Sequence, residues 1–528
     1  MTKSKNNQKG PVVLVILDGW GEWNIVKGNA IANAKLPTID NLNKYYPKLS
    51  LQASGLAVGL PWATRGNSEV GHQSMGTGQI IFQHLPIISM AIKDGSFKEN
   101  QTLLRVVSEA KKNKTNLHLI GLISDGSVHS HIDHLVALLP FIKNRGPENV
   151  FIHAITDGRD TAPKSAKKYL EIINKAIAET ETGQIATILG RHYAMDRNNN
   201  WDRTAKVLSA LVNGDGLKES DPLAAIGNQY KREITDEFIE PVIIVDKKEK
   251  PIGLIKENDT VICFNFRRDR TRQLAKGLSD PNFKKIKMPK INFCGFIEYE
   301  KELKAETVFP EKKISARVGE VISRAGMKQL RVAETEKFAH VTYFFNGGLE
   351  KAFPKEDRIS VLSKIVDNYA KVPEMSAEEI TQKSIAAIEK KNYDFILINY
   401  ANPDMVGHTG DFKAGIKAVE FTDLCLAKLI KAVFEKEGYL LVTADHGNVE
   451  EMINLTTLEK DTEHSTNPVP CWLVSPNYKK KATFTARFSS DMDGMIVDIA
   501  STVLELLGLK KPNEMMGRSL LSSFKLQL

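Results

Sequence analysis

The sequence has few cysteines and lacks a long apolar run near its start. Its four cysteines lie far apart, with no C-x-x-C pair: Cys263, Cys294, Cys425 and Cys471. Scattered cysteines in apolar surroundings are typical of reduced core thiols, so the pattern excludes a disulfide framework and a cysteine zinc site. The first apolar run, Val12–Leu17, is too short for a signal peptide or a membrane span. We therefore expect a cytoplasmic protein without a membrane partner.

The chain also lacks a low-complexity tract, and its charge is spread out. A chain of 528 residues exceeds what one core usually organises, so two domains are expected. The net charge of +8 comes mainly from dispersed lysines, with short basic runs only at 247–250 and 479–481. This distribution favours a solvated basic face, suited to small anionic substrates, over a nucleic-acid groove. No heptad or apolar patch indicates a protein partner, so we expect a monomer.

Short apolar runs that lead to a carboxylate are the clearest structural signal. Such runs precede Asp18, Asp404 and Asp445, and they are Val12–Leu17, Phe395–Tyr400 and Tyr439–Thr443. Buried parallel strands have this pattern, and ligands bind at their carboxyl ends because loops and helix N-termini converge there. A helical pattern over 416–433 is typical of a crossover helix. These segments predict an α/β domain.

The middle of the chain repeats the pattern with arginine-rich strand endings. Predicted strands at 117–123, 150–155, 185–189 and 261–264 lead to the segments 124–129, 156–160, 190–197 and 265–270. The change from aspartate and histidine to arginine predicts a second, anion-binding α/β domain inserted into the first. We place the inserted domain at 83–312 and the metal-binding domain at 1–82 and 313–528. Proline and charged residues interrupt the pattern at both joints.

A serine in a glycine-containing stretch is the first candidate for chemistry. Ser68 lies within residues 66–78, where glycines allow a tight turn that presents its hydroxyl at the head of a helix. Most glycine-serine turns only cap helices, so this segment alone does not indicate catalysis.

Further candidates follow predicted strands towards the other end of the chain. Asp404 and His408 are spaced so that both can face one metal in a helical turn. Adjacent Asp445 and His446 can converge if the strand breaks into a turn at Gly447, and His464 lies in a polar loop. Singly, each is typical of a helix N-cap or a solvated histidine.

Charge balance links these segments into one metal-dependent site. Two divalent ions bring four positive charges, which three aspartates and a Ser68 alkoxide can balance while neutral histidines complete the coordination. The groups are Asp18, Asp404, Asp445, His408, His446 and His464. A metal lowers the pKa of a bound hydroxyl, so the serine can act as a nucleophile without an adjacent general base. The pattern predicts metal-dependent phosphoryl transfer.

Seven ordered motifs run through the chain between residues 12 and 507. They are D-G-W at 18–20, G-N-S-E-V-G-H at 66–72, V-H-S-H at 128–131, D-G-R-D at 157–160, G-R-x-Y-A-M-D-R at 190–197, A-E-T-E-K at 333–337 and T-A-D-H-G-N at 443–448. In type and spacing they resemble the cofactor-independent phosphoglycerate mutases of the alkaline phosphatase superfamily. The resemblance implies an alkaline-phosphatase-like parallel-sheet domain interrupted by an inserted α/β substrate-binding domain.

The resemblance also implies a reaction and its metals. The family interconverts 3-phosphoglycerate and 2-phosphoglycerate through a phosphoserine, here on Ser68, without 2,3-bisphosphoglycerate. One ion would be held by Asp404, His408 and His464, and the other by Asp18, Ser68, Asp445 and His446. The family uses chiefly manganese, and three imidazoles suit manganese, cobalt or zinc better than magnesium.

By the same resemblance, the inserted domain would hold the glycerate. Its residues would be His129, Arg159, Asp160, Arg191, Arg197, Arg267 and Arg270, with Lys337 at the phosphoryl group. Guanidinium groups pair well with carboxylate and phosphate oxygens. Asp160 would move the proton between the two alcohols of the glycerate.

Some positions depart from the family's usual residues. Residues 63–65 read Ala-Thr-Arg where a glycine, a polar residue and a methionine are commoner, Gln79 replaces a frequent arginine, and Arg268 replaces a proline. None is a predicted metal ligand. Because Arg65 is close to Ser68 and Arg268 lies between two predicted substrate arginines, we expect an effect on rate rather than on reaction type.

Two other functions remain open at this stage. A phosphopentomutase or an alkaline phosphatase could use the same serine and metals on another ester, but a simple phosphatase does not need to retain the dephosphorylated alcohol. A metal-containing non-enzyme or a basic binding protein would leave Ser68 without a chemical role.

Overall fold

The structure is a computed structural model that describes residues 10–280, 283, 285–303, 305–311, 313–390, 392–481 and 492–528. Two compact units form, one from Met1–Gln83 with Lys313–Leu528 and the other from His84–Lys312. The first nine residues of the predicted metal-binding domain, and Lys312 at its second joint, lie outside the described residues. No helix in the described ranges is long and apolar enough to cross a membrane.

Strands and helices are numbered along the chain. The strands are β1 (Val12–Leu17), β2 (Lys48–Gln52), β3 (Leu117–Leu122), β4 (Val150–Thr156), β5 (Gln184–Gly190), β6 (Leu217–Glu219), β7 (Val242–Ile244), β8 (Thr260–Cys263), β9 (Asn292–Gly295), β10 (Glu306–Thr307), β11 (Gln329–Glu334), β12 (Glu356–Val361), β13 (Phe395–Tyr400), β14 (Tyr439–Thr443), β15 (Val469–Val474) and β16 (Gly494–Met495).

The helices are α1 (Ala30–Asn33), α2 (Pro37–Tyr45), α3 (Ser68–Thr77), α4 (His84–Asp94), α5 (Gln101–Asn113), α6 (Ile132–Arg145), α7 (Ala166–Thr180), α8 (Arg191–Ala194), α9 (Trp201–Asn213), α10 (Pro222–Lys231), α11 (Arg268–Ser279), α12 (Val318–Arg324), α13 (Ala377–Glu389), α14 (Asn402–Gly407), α15 (Phe412–Glu435), α16 (Asp498–Leu506) and α17 (Leu521–Lys525).

The first unit is built on a mostly parallel sheet in the order β12-β11-β13-β1-β14-β15-β2-β16. β1 lies between β13 and β14 and is parallel to both, with Val12 opposite Phe395 and Tyr439. Every residue of β1 and β13 is buried, as expected for central strands of a helix-covered parallel sheet. The three strands predicted beside carboxylates are confirmed to the residue.

The predicted crossover helix is also confirmed. α15 runs from Phe412 to Glu435, and the Asp411 side chain caps it by accepting a hydrogen bond from the backbone N–H of Ala414. The apolar face of this helix is buried, including Val419, Leu426 and Val433. Four neighbouring strands of the sheet run parallel to one another: β11, β13, β1 and β14. They therefore end at the same edge of the sheet, where the chain turns into loops and short helices.

The second unit has its own sheet, in the order β10-β9-β8-β3-β4-β5-β7-β6. β8, β3, β4 and β5 are parallel neighbours, so the arginine-rich segments that follow them share one edge. The four predicted strands of this unit are confirmed, with ends that differ by one residue. The four cysteines of the chain are free and buried, as the sequence predicted.

Because a histidine is buried in the second unit, we expect the stability of the protein to depend on pH. His134 on α6 lies against Phe266 and Phe296, and neither ring nitrogen has a hydrogen-bond partner among the described residues. Burial lowers the pKa of His134 from 6.5 to about 3. Between these two pH values His134 is protonated in the unfolded chain but neutral in the folded chain. The free energy of unfolding therefore falls as the pH drops from 6.5 towards 3.

We expect His134→Leu to be less sensitive to acid than the wild type. Between pH 7 and pH 5 the wild type should lose about 2 kcal/mol more free energy of unfolding than the variant. Urea unfolding at the two pH values measures this difference. Phe141→Leu, on the same buried helix face, adds no titrating group and should keep the wild-type pH dependence. Equal pH dependence in His134→Leu and the wild type would contradict the prediction.

Candidate active site

Ser68 is the first residue of α3, as the sequence predicted, but it is only 6% exposed. The side chain of Asn67 caps the helix by accepting a hydrogen bond from the N–H of Val70 at 3.1 Å. Because the cap comes from Asn67, the serine hydroxyl is free for other contacts. A Cβ added at Gly71 would lie 2.6 Å from the carbonyl oxygen of Asp445, so glycine is needed for α3 to approach the loop after β14.

The hydroxyl of Ser68 is surrounded by charged and polar groups from three strand ends. It lies 3.1 Å from Asp18 Oδ1 and 2.9 Å from His446 Nε2. It also accepts a hydrogen bond from Lys337 Nζ at 2.7 Å. Side chains from both ends of the sequence therefore lie around this serine.

Lys337 lies deeper among the predicted metal ligands than the sequence indicated. Its ammonium group donates to Asp18 Oδ1 at 2.7 Å and to Asp404 Oδ2 at 2.6 Å. Burial alone lowers the pKa of Lys337, but the two carboxylates outweigh it and hold the pKa above its ordinary value. For both carboxylates, burial raises the pKa, but the ammonium and the hydrogen bonds from neighbouring histidines together outweigh burial and lower it.

His408 and His464 converge on Asp404. His408 Nδ1 lies 2.7 Å from the carbonyl oxygen of Thr462, and His464 Nδ1 lies 2.8 Å from that of Gly66. A carbonyl oxygen only accepts, so both Nδ1 atoms carry the proton and each neutral ring keeps its lone pair on Nε2. The Nε2 atoms are 3.0 Å apart and lie 3.3 and 3.2 Å from Asp404 Oδ1. With both rings neutral, these three atoms are all acceptors, and a bound cation would stabilise them at this distance.

A second group of acceptors lies beside Ser68. Asp445 Oδ1 accepts from the N–H groups of Gly19 and His446, whereas its buried Oδ2 lies 3.2 Å from His72 Nδ1 and accepts no well-aligned hydrogen bond in the described residues. His446 Nε2 lies 3.5 Å from Asp18 Oδ1 and 4.0 Å from Asp404 Oδ1, between the two carboxylates. Burial lowers the pKa of His446, but Asp445 first and then Asp18 outweigh it and raise the pKa to about 9.

These residues fit a pair of divalent ions. Asp18, Asp404 and Asp445 are at most 2% exposed, and the Lys337 ammonium contacts Asp18 and Asp404 but makes no ion pair with Asp445 in the described residues. Buried charge of this density has to be balanced by cations. Carboxylate oxygens, imidazole nitrogens and a hydroxyl are ligands of manganese, cobalt and zinc. All seven predicted metal ligands lie in this one cluster, including Ser68.

The grouping of the donors differs in two respects from the predicted ligand sets. Donor atoms of Asp404, His446 and His464 lie within 4.8 Å of one another, as do those of Asp18, His72 and Asp445. His446 is thus close to both groups. His72, which was not predicted to have a role, lies in the second group.

Other residues at the site were missed by sequence reasoning. Asn399 Nδ2 donates to Asp18 Oδ2 at 2.7 Å, and Asn448 Nδ2 donates to Asp404 Oδ1 at 2.8 Å. Buried Glu450 accepts from the N–H groups of Gly21 and Asn448, and so fixes the turn after His446. A signal was present for Asn399, because it is a polar residue inside an otherwise apolar strand.

In the second unit, buried Arg191 joins the predicted site residue Asp160 to Asp157, which was not predicted to have a role. Arg191 Nη1 lies 2.6 Å from both Asp157 Oδ1 and Asp160 Oδ2. Asp157 also accepts from the backbone N–H groups of Arg159 and Asp160, which shapes the loop after β4. His129 Nε2 lies 3.9 Å from Asp160 Oδ2. Burial and then Arg191 lower the pKa of His129 to about 4, so its ring is neutral at pH 7.

The remaining predicted arginines lie in the same region. Asp269, which was not predicted, pairs with Arg197 at 3.3 Å and with Arg267 at 3.1 Å. The pKa of Arg270 is lowered first by burial and then by the charges of Arg159, Arg197 and Arg191. Mutual repulsion among guanidinium groups is characteristic of an anion site, because a bound anion relieves it.

The positions that depart from the family have partners of their own. Arg268 donates to the carbonyl oxygen of Glu298 at 2.7 Å and to Glu311 Oε1 at 2.7 Å. Arg65 pairs with Glu463, next to His464. Buried Gln79 donates to the carbonyl oxygen of Ala316 at 3.3 Å.

Comparisons with known proteins agree with this geometry. Residues 88–301 match the family described as BPG-independent PGAM N-terminus, and residues 301–488 match type I phosphodiesterase / nucleotide pyrophosphatase. The 2,3-bisphosphoglycerate-independent phosphoglycerate mutase of Moorella thermoacetica is 47% identical over 97% of this chain and 98% of its own length. That of a Cyanothece species is 46% identical over 98% and 97%.

A solved structure shows the same fold. Leishmania mexicana phosphoglycerate mutase, determined at low cobalt concentration, is 30% identical with a TM-score of 0.56. The match covers 98% of this chain and 99% of that one.

Metal-dependent phosphoryl transfer is the chemistry that this fold and this cluster of ligands support, as in the alkaline phosphatase superfamily. The sequence identity over nearly the whole chain specifies the family within this superfamily. The chain belongs to the 2,3-bisphosphoglycerate-independent phosphoglycerate mutases. It is an isomerase that interconverts 3-phosphoglycerate and 2-phosphoglycerate, and the phosphopentomutase and phosphatase alternatives are not favoured.

Proposed function

We propose that the mutase reaction proceeds as a phosphoryl relay through Ser68. The observation that carries this proposal is the position of the serine hydroxyl, within 3.1 Å of Asp18, His446 and Lys337. We further propose that residues 1–82 and 313–528 form the phosphatase-like domain and that residues 83–312 form the substrate domain. A monomer in the cytoplasm is part of the same proposal.

The metal ligands are assigned in two sets. One ion would be held by Asp404, His408 and His464, and the other by Asp18, Ser68, Asp445 and His446. The family resemblance and the three imidazoles favour manganese, with cobalt or zinc as substitutes. When bound, such ions lower the pKa of a serine hydroxyl and neutralise phosphoryl oxygens.

The side chains of the protein supply the nucleophile, the proton transfer and part of the charge stabilisation. Ser68 Oγ would react as the alkoxide and form a bond to phosphorus as the bond from phosphorus to O3 of the glycerate breaks. The second transfer, to O2, would regenerate the alkoxide. Asp160 gives a proton to O3 and removes one from O2. Lys337, whose ammonium contacts Ser68 Oγ at 2.7 Å, stabilises the charge of the transferred group.

The arginines have a separate task in this proposal. Glycerate must stay bound between the two transfers, because its loss would leave a phosphoserine open to hydrolysis. The guanidinium groups of the second unit and neutral His129 are proposed to hold its carboxylate and hydroxyl oxygens, through Arg159, Arg191, Arg197, Arg267 and Arg270.

Metal removal tests the proposal. Protein stripped of metal should be inactive in an assay coupled to enolase, and manganese should restore the most activity, followed by cobalt or zinc and then magnesium. No 2,3-bisphosphoglycerate should be needed. Full activity in the metal-free protein, or a strict requirement for the bisphosphate, would contradict the proposed mechanism. Equilibrium dialysis should give two manganese ions per chain.

A further inference from the structure

His72 lies at the junction of three elements that carry proposed metal ligands. Its Nδ1 is 2.9 Å from the carbonyl oxygen of Ser68 and 3.2 Å from Asp445 Oδ2. Its Nε2 is 3.1 Å from Nδ2 of Asn399. The ring is fully buried, so each of these contacts determines which atoms carry protons.

The amide of Asn399 has one orientation that suits its neighbours. Nδ2 lies 2.7 Å from Asp18 Oδ2, a carboxylate oxygen that can only accept. The reverse orientation would place the amide oxygen against that carboxylate. Nδ2 therefore faces both Asp18 and His72, and its two hydrogens serve one each.

This orientation fixes the state of the imidazole. Nε2 of His72 receives the second N–H of Asn399, so its lone pair is used. Nδ1 faces two acceptors, Ser68 O and Asp445 Oδ2, so it carries the proton. His72 is then neutral and has no free lone pair, although its position among Asp18 and Asp445 resembles that of a metal ligand.

We propose that His72 and Asn399 are a positioning pair for the nucleophile and that His72 does not bind metal. The inference rests on the proposed relay. Asn399 holds Asp18 by Oδ2, which leaves Oδ1 turned towards the Ser68 hydroxyl at 3.1 Å. His72 holds the first turn of α3 through the carbonyl of Ser68 and is itself held by Asn399. One hydrogen-bonded chain thus orients Asp18 and Ser68 together.

Three variants test the pair. His72→Gln places its amide near the position of Nε2 and can offer an oxygen to Asn399, whereas His72→Leu and Asn399→Leu offer nothing. Loss of a hydrogen bond to a metal-binding or nucleophilic group typically costs 10–100-fold in activity, so we expect kcat to fall by about that factor in both leucine variants. KM should change little, because the residues proposed to hold the glycerate lie in the second unit. His72→Gln should regain most of the lost kcat.

Metal content separates positioning from ligation. All three variants, after dialysis against manganese, should bind as many ions per chain as the wild type. The double variant His72→Leu/Asn399→Leu should lose no more kcat than the worse single one, because the two side chains act as a unit. The inference is overturned if His72→Gln loses an ion, or if both leucine variants keep wild-type kcat.

The manganese content of the wild type tests the proposed metal assignment separately from the inference about His72 and Asn399. Fewer than two manganese ions per wild-type chain would count against the proposed metal assignment, whatever the variants do. Thermal unfolding identifies a variant that does not fold. His72→Gln keeps a polar side chain at the site, so its metal content and kcat still decide the question if a leucine variant is unstable.

Discussion

Ser68→Ala should abolish the mutase reaction almost completely, with a loss of roughly 10⁴-fold or more in kcat, as for other covalent nucleophiles. Alanine removes the oxygen that accepts the phosphoryl group, and among the described residues Ser68 supplies the hydroxyl that contacts both Asp18 and Lys337. The fold should persist, because Asn67 rather than Ser68 caps α3. The loss is therefore expected to be chemical and not structural.

Two measurements check this result. The enolase-coupled assay gives kcat, and mass spectrometry of protein quenched during turnover should find a phosphoryl group on the peptide that contains residue 68 in the wild type but not in Ser68→Ala. Ser74→Ala, on the same helix, is the matched control and should keep both activity and the adduct. Substantial turnover by Ser68→Ala with manganese present would refute the relay.

The strands that position the site were predictable because burial leaves a strong pattern. β1, β13 and β14 are mostly apolar runs, and an aspartate follows each run within four residues. Asp18, Asp404 and Asp445 could therefore be assigned to one sheet edge without knowledge of the sheet order. Their assignment to particular ions stays a prediction.

The hydrogen-bond partners of the ligands could not be predicted in this way. Asn399 contacts Asp18, which is far away in the sequence, through a strand pairing that the sequence does not specify. The position of Lys337 between Asp18 and Asp404 likewise depends on how β11 ends beside β13. Asp269 is a charged residue in an arginine-rich segment, and only its distances to Arg197 and Arg267 show that it pairs with these two guanidinium groups.

Lys337→Met should separate stability from catalysis, because methionine keeps the apolar length of the side chain and removes the charge. Without metal, Asp18 and Asp404 lose the ammonium group that contacts both of them. Removing one partner from a buried charge cluster costs about 3–5 kcal/mol, so the free energy of unfolding of the metal-free variant should fall by roughly that amount. Its kcat should fall about 10²–10³-fold, since a donor at the transferred group is lost.

Manganese should reverse the loss of stability but not the loss of kcat. A bound divalent ion balances the same carboxylates, so the metal-induced rise in melting temperature should be larger in Lys337→Met than in the wild type. The affinity for manganese should also increase, because the ammonium no longer competes with the metal for Asp18 and Asp404. Calorimetry with and without a chelator measures both effects, and exposed Lys328→Met is the control. If the variant bound manganese more weakly than the wild type, Lys337 would have to be assisting metal binding, contrary to the competition inferred from its contacts.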